Sequence, residues 1–146
     1  MSRISRAGIL TMIPHAGAMC LLDEVESWDA ANIICRSSRY GDADNPLRRA
    51  DGTLGASCGI EIAAQAMAVH GRLTAVGDGP PRPGFLVSLR DVRLHAARLD
   101  AQAGPLIIMA RQLLGDARGA AYEFNVSRAA AELVSGRATV LFEAPQ

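Results

Sequence analysis

The sequence predicts a single α+β domain in which an antiparallel sheet wraps one long helix. One observation is the stretch Cys58–Val69, about three helical turns of Ala, Ile, Met and Val broken only by Glu61 and Gln65. A second is the run of apolar, β-branched segments after residue 84, separated by turn-forming residues. A third is the strict alternation of Tyr122, Phe124 and Val126 with Glu123, Asn125 and Ser127, the pattern of a strand with one wet face.

Taken in order, Met19 to Trp28 reads as a strand, and Asn32 to Arg39 as its hairpin partner across Asp29-Ala30-Ala31. Residues 40–56 are polar and broken by Gly41, Pro46, Gly52 and Gly55, hence a long loop. The helix is expected from Ser57, as its N-cap, to Gly71, as its stop. Gly77 to Gly84 holds three prolines and reads as a connection. Strands follow at Phe85 to Arg98, Pro105 to Leu114, Ala120 to Arg128 and Glu132 to Phe142, with turns at 115–119 and 129–131. A helix apolar on nearly all sides must be covered on nearly all sides. The Ala64 and Ala68 face is therefore expected to be closed by a second copy or a related subunit, the alternative being that loop 40–56 folds over it.

The 146 residues suit one domain, 1–146, with an adequate core. Fifteen basic and fifteen acidic residues give no long-range field, so nucleic acid is not an expected partner. Every basic residue is Arg, which excludes a Schiff-base lysine, a pyridoxal-phosphate anchor and a lysine-bearing phosphate loop. Cys20, Cys35 and Cys58 are odd in number and widely spaced, so neither a disulfide framework nor a zinc site is expected, and a reducing cytoplasm fits. The apolar run before Pro14 is too short for a signal peptide or a membrane span.

Glu61 is the first functional candidate, because a charge among apolar side chains is costly unless paired or used. It shares a helix face with Gln65 at i, i+4. Gly55-Ala56-Ser57-Cys58-Gly59 matches the Gly-x-Ser-x-Gly elbow, but residues 45–52 before it are no strand. The reading preferred is that Ser57 caps the helix and leaves free N–H groups able to polarise a carbonyl. Among the three histidines, His70 falls on the helix face opposite Glu61 and is expected as a polar residue near the helix end, and His95 as a surface or edge residue. His15, in a short link before the first strand, pairs with Glu61 as base and acid, with burial raising the carboxyl pKa so that it holds a proton. The alternative for Glu61 is a buried ion pair with Arg48 or Arg49.

Ile13-Pro14-His15-Ala16-Gly17-Ala18-Met19-Cys20-Leu21-Leu22-Asp23-Glu24-Val25 resembles the Leu-Pro-His-x-x-Pro-x-Leu-Leu-x-Asp-x-Val opening of FabZ-type 3-hydroxyacyl-carrier-protein dehydratases. Glu61-Ile62-Ala63-Ala64-Gln65 is similar to their Glu-Ala-Met-Ala-Gln helix, and Phe85 to Arg98 to the strand that follows. Within that group the chain looks like the ApeP-like dehydratase subunits of aryl-polyene pigment clusters. The resemblance implies the hotdog fold, a curled antiparallel sheet of about five or six strands around one long helix. It also implies a homodimer or a heterodimer with a related hotdog subunit, an acyl carrier protein as partner, an acyl-pantetheine tunnel at the dimer interface, and neither metal nor organic cofactor. The implied reaction removes water from a 3-hydroxyacyl thioester to give a trans-2-enoyl thioester.

Glu61 carries over as the acid that assists the departing hydroxyl. Backbone N–H groups around Ser57, Cys58 and Gly59 would bind the thioester oxygen, with Gln65 beside the substrate. FabZ enzymes take the α-proton with a histidine in a His-Phe-Pro segment, where this chain has Leu47, and no histidine lies between His15 and His70. His15 is the base that the sequence permits. The competing readings are a non-catalytic partner subunit in a heterodimer and a hotdog acyl-thioesterase.

Overall fold

The helix at the centre of the fold spans 17 residues, α2 (Cys58–Thr74), and buries Ile62, Ala63, Ala66, Met67, Val69 and His70. In the computed structural model, which describes residues 3–75 and 84–142, seven antiparallel strands curl against it. They are β1 (Ile4–Ser5), β2 (Glu24–Trp28), β3 (Asn32–Ser37), β4 (Gly84–Leu94), β5 (Leu106–Gly115), β6 (Gly119–Arg128) and β7 (Ala131–Phe142), in the spatial order β1-β2-β3-β5-β6-β7-β4. Five or six strands were expected; the seventh is β1, which pairs Ile4 with Val25 and leads into the short helix α1 (Arg6–Leu10).

The period-2 reading of the last strands places their faces correctly. Tyr122, Phe124 and Val126 point into the core while Glu123, Asn125 and Ser127 lie half-exposed outside. Ile33, Cys35, Ile108, Ala110 and Val134 complete that inner layer, a sheet face buried on the helix. The β2–β3 hairpin closes with Trp28 opposite Ile33, and the Asp29 carboxylate accepts the Ala31 and Asn32 N–H groups at 2.9 and 2.7 Å. Ala129 and Ala130 turn β6 into β7 with φ of 51° and 66°, the left-handed pair that a two-residue hairpin demands.

Several boundaries differ from expectation. The strand expected from Met19 begins only at Glu24, because Gly17–Met19 form a 3-10 turn and side chains, described below, take up the backbone groups after it. Gly71 is no stop: α2 continues to Thr74, and a Cβ at Gly71 would meet the Phe142 ring at 3.1 Å, so the glycine admits a close approach instead. Ser57 occupies the N-cap position with a helical backbone and makes no side-chain cap bond, so it does not cap as expected. The expected strand to Arg98 ends at Leu94, where the chain bends at His95. Of the expected connection Gly77 to Gly84, only Gly84 lies within the described residues, and it begins β4.

Loop 40–56 packs by Tyr40, Asn45, Leu54 and Ala56 and reaches the start of α2. Arg128 secures it from β6, donating at 2.8 Å to the Tyr40 hydroxyl and at 2.6 Å to the Leu99 carbonyl. One stripe of α2, made of Ile60, Glu61, Ala64 and Ala68, stays half-exposed in this chain.

Candidate active site

The half-exposed stripe of α2 meets the segment leading to β2. Ile13 is buried and anchors that segment, and Gly17, with φ of 55°, turns it into the 3-10 turn. Two side chains then grip its backbone from opposite sides. From α1, Arg6 donates to the carbonyls of Cys20 at 2.7 Å, Leu22 at 3.1 Å and Gly17 at 2.9 Å. From α2, the wholly buried Gln65 accepts the Leu21 N–H at 2.9 Å and donates to the Met19 carbonyl at 2.8 Å. Ser37 of β3 adds a third hold on the Leu21 carbonyl, at 2.5 Å.

This grip sets the His15 imidazole against Glu61, Nε2 to Oε1 at 3.1 Å, with the two side chains 26% and 37% exposed. A separation of roughly 4 to 7 Å, read across a dimer, is what an intervening substrate carbon predicts. Instead both residues belong to one chain and touch. Gln65 Nε2 donates to the same Oε1 at 3.2 Å, so Gln65 sits beneath the pair as its support rather than on an open surface. The ion-pair alternative is not realised among the described residues: Arg48 serves Asp100 at 3.4 Å and the carbonyls of Gly41, Asp42 and Gly52, and no ion pair joins Arg49 to Glu61.

The electrostatics of the pair reverse one expectation. Burial alone would raise the Glu61 carboxyl, but the hydrogen bond from His15 outweighs it, the Gln65 donor adds to the effect, and the pKa lies below its ordinary 4.5. Glu61 is therefore a carboxylate at neutral pH. A carboxylate only accepts, so Nε2 bears the proton in the contact and Nδ1 of a neutral ring holds the lone pair. That Nδ1 is buried and is the one buried side-chain polar atom without a partner among the described residues.

Ser57, Cys58 and Gly59 lie at the start of α2, as expected, but their surroundings differ. The N–H groups of Cys58 and Gly59 are engaged by the carbonyls of Gly55 and Ala56 at 3.1 and 2.9 Å, so they are not the free donors foreseen. The Cys58 thiol donates weakly to the Leu47 carbonyl at 3.8 Å, and burial pushes its pKa up. Gly59 is small because α2 packs on the sheet there: a Cβ would meet Val134 Cγ2 at 3.0 Å.

His70 is not a polar residue at the helix end but a wholly buried one. Its Nε2 donates to the Asp29 carbonyl at 2.9 Å and its Nδ1 pairs with the Tyr122 hydroxyl at 2.7 Å. His95 is exposed, as expected, and pairs with Glu132 at 3.0 Å. Sequence reasoning missed Arg6, whose place in an unremarkable opening segment carries no motif; the only available signal was an arginine on a short capped turn, bracketed by Ser5 and Gly8.

A groove of about 980 Å³ lies elsewhere, on the sheet face turned away from α2, lined by Trp28, Met109, Arg111, Glu123 and Arg137 among others. No helix among the described residues is long and apolar enough to cross a membrane.

The ApeP-like family model, described as ApeP dehydratase, matches residues 7–145. No curated protein matches the sequence. Among solved structures, the chain is similar to the dehydratase heterocomplex ApeI:P from Xenorhabdus doucetiae, at 26% identity and a TM-score of 0.79 over 93% of this chain and 91% of that one. More distant likenesses show the hotdog fold alone. They include the thioesterase HI1161 from Haemophilus influenzae, at 9% identity and TM-score 0.66 over 96% and 91%. Another is a mutant of the thioesterase PA1618 from Pseudomonas aeruginosa, at 12% and 0.62 over 86% and 84%.

Proposed function

Because the chain belongs to the ApeP-like dehydratase family, we propose that it removes water from a 3-hydroxyacyl thioester held on an acyl carrier protein, giving the trans-2-enoyl thioester. The observation that carries this reading is the 3.1 Å contact between His15 and Glu61 on a half-exposed helix stripe. An imidazole and a carboxylate in direct contact form a proton-transfer pair that water elimination can use.

His15 takes the proton from C2 of the substrate. Glu61 begins as a carboxylate, so the proton it delivers to the C3 hydroxyl is one handed to it by His15 across their contact. The C3–O bond then breaks, the electrons left at C2 form the C2=C3 double bond and water departs; Glu61 is a carboxylate again, while His15, now protonated at Nδ1 and bare at Nε2, regains its starting tautomer by proton exchange with solvent before the next turnover. With the Cys58 and Gly59 N–H groups already engaged, negative charge that gathers on the thioester oxygen is eased by the dipole of α2 rather than by free donors at its start. Gln65 acts on substrate only through Glu61, which it holds.

A second reading has a specific observation behind it. The edge strand β4 is exposed along all eleven residues, and the relative above is a heterocomplex. The chain then serves as one member of a pair with a related hotdog subunit, which closes the half-exposed stripe over the acyl chain. Incubation of the purified chain with a 3-hydroxyacyl carrier-protein thioester, alone and mixed with such a subunit, separates the cases by mass spectrometry. Loss of water by the chain alone supports the dehydratase. Activity only on mixing, and unaffected by His15→Ala, assigns it to the partner, and release of free thiol without enoyl product overturns both readings.

A further inference from the structure

Arg48 and Arg49 are neighbours in the loop before α2, and the fold uses them differently. Arg48 is spent on Asp100 and on the carbonyls of Gly41, Asp42 and Gly52. Arg6, Arg39 and Arg98 are likewise committed, to backbone carbonyls, to Asp23 and to Asp100. The exposed Arg49 guanidinium has neither an ion pair nor a hydrogen bond among the described residues. Asp51, two residues on, does not take it up, because its Oδ1 accepts the Thr53 N–H at 3.0 Å and the Thr53 hydroxyl at 2.7 Å.

This unpaired group is nevertheless held in one place. The Arg49 N–H donates to the Thr53 carbonyl at 2.8 Å and the Arg49 carbonyl accepts the Gly52 N–H at 2.9 Å, in a turn where Gly52 has φ of 84°. The side chain then lies across Gly55, where a Cβ would meet Arg49 Cζ at 3.1 Å and Nε at 3.6 Å. The missing side chain of Gly55 is the seat of the guanidinium. That seat is itself fixed: Gly55 bridges to Arg98, the Leu54 carbonyl accepts the Leu99 N–H at 2.9 Å, and the Ala56 N–H donates to the Ala97 carbonyl at 3.0 Å.

The seat adjoins the candidate site. The Gly55 carbonyl accepts the Cys58 N–H at 3.1 Å, and Cys58, half-buried, stands three residues before Glu61 on the same side of α2. Burial pushes the Cys58 thiol up, Arg49 opposes this and Glu61 adds to it, so both charges reach one side chain. Four residues of helix, about 6 Å of rise, separate Ser57 from Glu61. That span suits a thioester carbonyl two bonds from the reacting C3, with a hydrogen bond at each end, and is too short for the phosphate at the far end of a pantetheine arm.

We infer that Arg49 is a catalytic residue, whose guanidinium donates to the thioester oxygen and holds the negative charge that gathers there when His15 takes the C2 proton. This rests on the dehydratase reading, and it supplies a donor that the start of α2 lacks, since the Cys58 and Gly59 N–H groups are engaged. Arginine stays protonated throughout, so Arg49 moves no proton. The charge it holds flows back as the C2=C3 bond forms and water leaves. A charge-assisted donor placed where charge develops strengthens most in the transition state.

Kinetics and a spectroscopic signature test it, on the chain alone and on its mixture with the related hotdog subunit. With a 3-hydroxybutyryl carrier-protein thioester, Arg49→Gln is expected to lower kcat roughly 10²- to 10³-fold, the loss of one oxyanion donor, with KM nearly unchanged. Arg49→Lys keeps a charge without the planar fork and recovers part of the rate. Gly55→Ala keeps the arginine but removes its seat, and its kcat falls with that of Arg49→Gln. The second readout needs no turnover: isotope-edited infrared of a bound crotonyl carrier-protein thioester, labelled at the carbonyl carbon. Its carbonyl stretch is expected at lower frequency on the wild type than free in solution, and back toward the free value on Arg49→Gln and Gly55→Ala. A raised KM at unchanged kcat makes Arg49 a docking contact for the carrier protein and overturns the inference. So does a carbonyl stretch that binding leaves unmoved or that the substitutions leave where the wild type has it. Should either variant not fold, the other decides. An Arg49-dependent carbonyl shift without enoyl product from the wild type sinks the dehydratase reading alone, and enoyl formation untouched by both substitutions sinks Arg49 alone.

Discussion

His15 and Glu61, 46 residues apart in the chain, meet at 3.1 Å because Gln65, one helical turn beyond Glu61, ties the segment after His15 to the same helix. The pair and its support are a single construction, in which one amide holds the backbone that carries the imidazole and also donates to the carboxylate.

If the pair moves the protons, losing either member removes the elimination. His15→Ala and Glu61→Gln are each expected to lower kcat for 3-hydroxyacyl carrier-protein dehydration by roughly 10²- to 10⁴-fold. The double variant should fall little below the worse single one, since the two act as a unit. Steady-state assays of enoyl formation check this, and a His15→Ala enzyme of full activity removes His15 from the mechanism.

The support is expected to matter for stability and for rate alike. Gln65→Leu leaves the buried Leu21 N–H and Met19 carbonyl unpaired, a loss on the order of 2–4 kcal/mol in a urea denaturation series. Arg6→Ala frees three carbonyls nearer the surface, and the greater effect there is on catalysis. Its kcat is expected to drop roughly tenfold with KM nearly unchanged, because the imidazole is no longer held in place.

His70 makes stability depend on pH. Burial lowers its pKa below 6.5, against the opposing pull of Asp29. The folded state thus resists protonation that the unfolded chain accepts. The sign follows: the contribution is fully present above about 6.5 and is lost as pH falls from there toward the depressed folded value. Thermal melts across pH 5 to 8 should show Tm declining on the acid side, and a variant His70→Gln should flatten that slope while being less stable at pH 8.

Ser57 offers a contrast between pattern and placement. A serine that caps a helix costs about 1 kcal/mol when replaced by alanine. Here the backbone of Ser57 is helical and its side chain caps nothing. Ser57→Ala is therefore expected to change stability by less than about 0.5 kcal/mol, measured by the same denaturation.

Local pattern sufficed for much of the fold. The apolar run after Cys58 announced α2, and the alternation from Tyr122 to Ser127 announced which face of β6 is buried, because burial on one side imposes a period of 3.6 on helices and 2 on strands. The isolation of Glu61 in that run marked it as a residue with a task, and the dehydratase-like opening around His15 marked its partner. What pattern does not contain is any contact between distant segments. The grip of Arg6 and Gln65 on backbone atoms, the burial of His70 beneath Tyr122 and the hydrogen bond that keeps Glu61 ionised all arise between segments 11 to 52 residues apart. Backbone carbonyls carry no sequence signature, and a carboxyl pKa answers to the donor nearest it rather than to its neighbours in the chain. The sequence by itself determined the main helix and the six longer strands, their buried faces and the choice of His15 and Glu61 as candidates; only the tertiary structure decided that these two touch within one chain, that Glu61 is held ionised and which residues keep the contact in place.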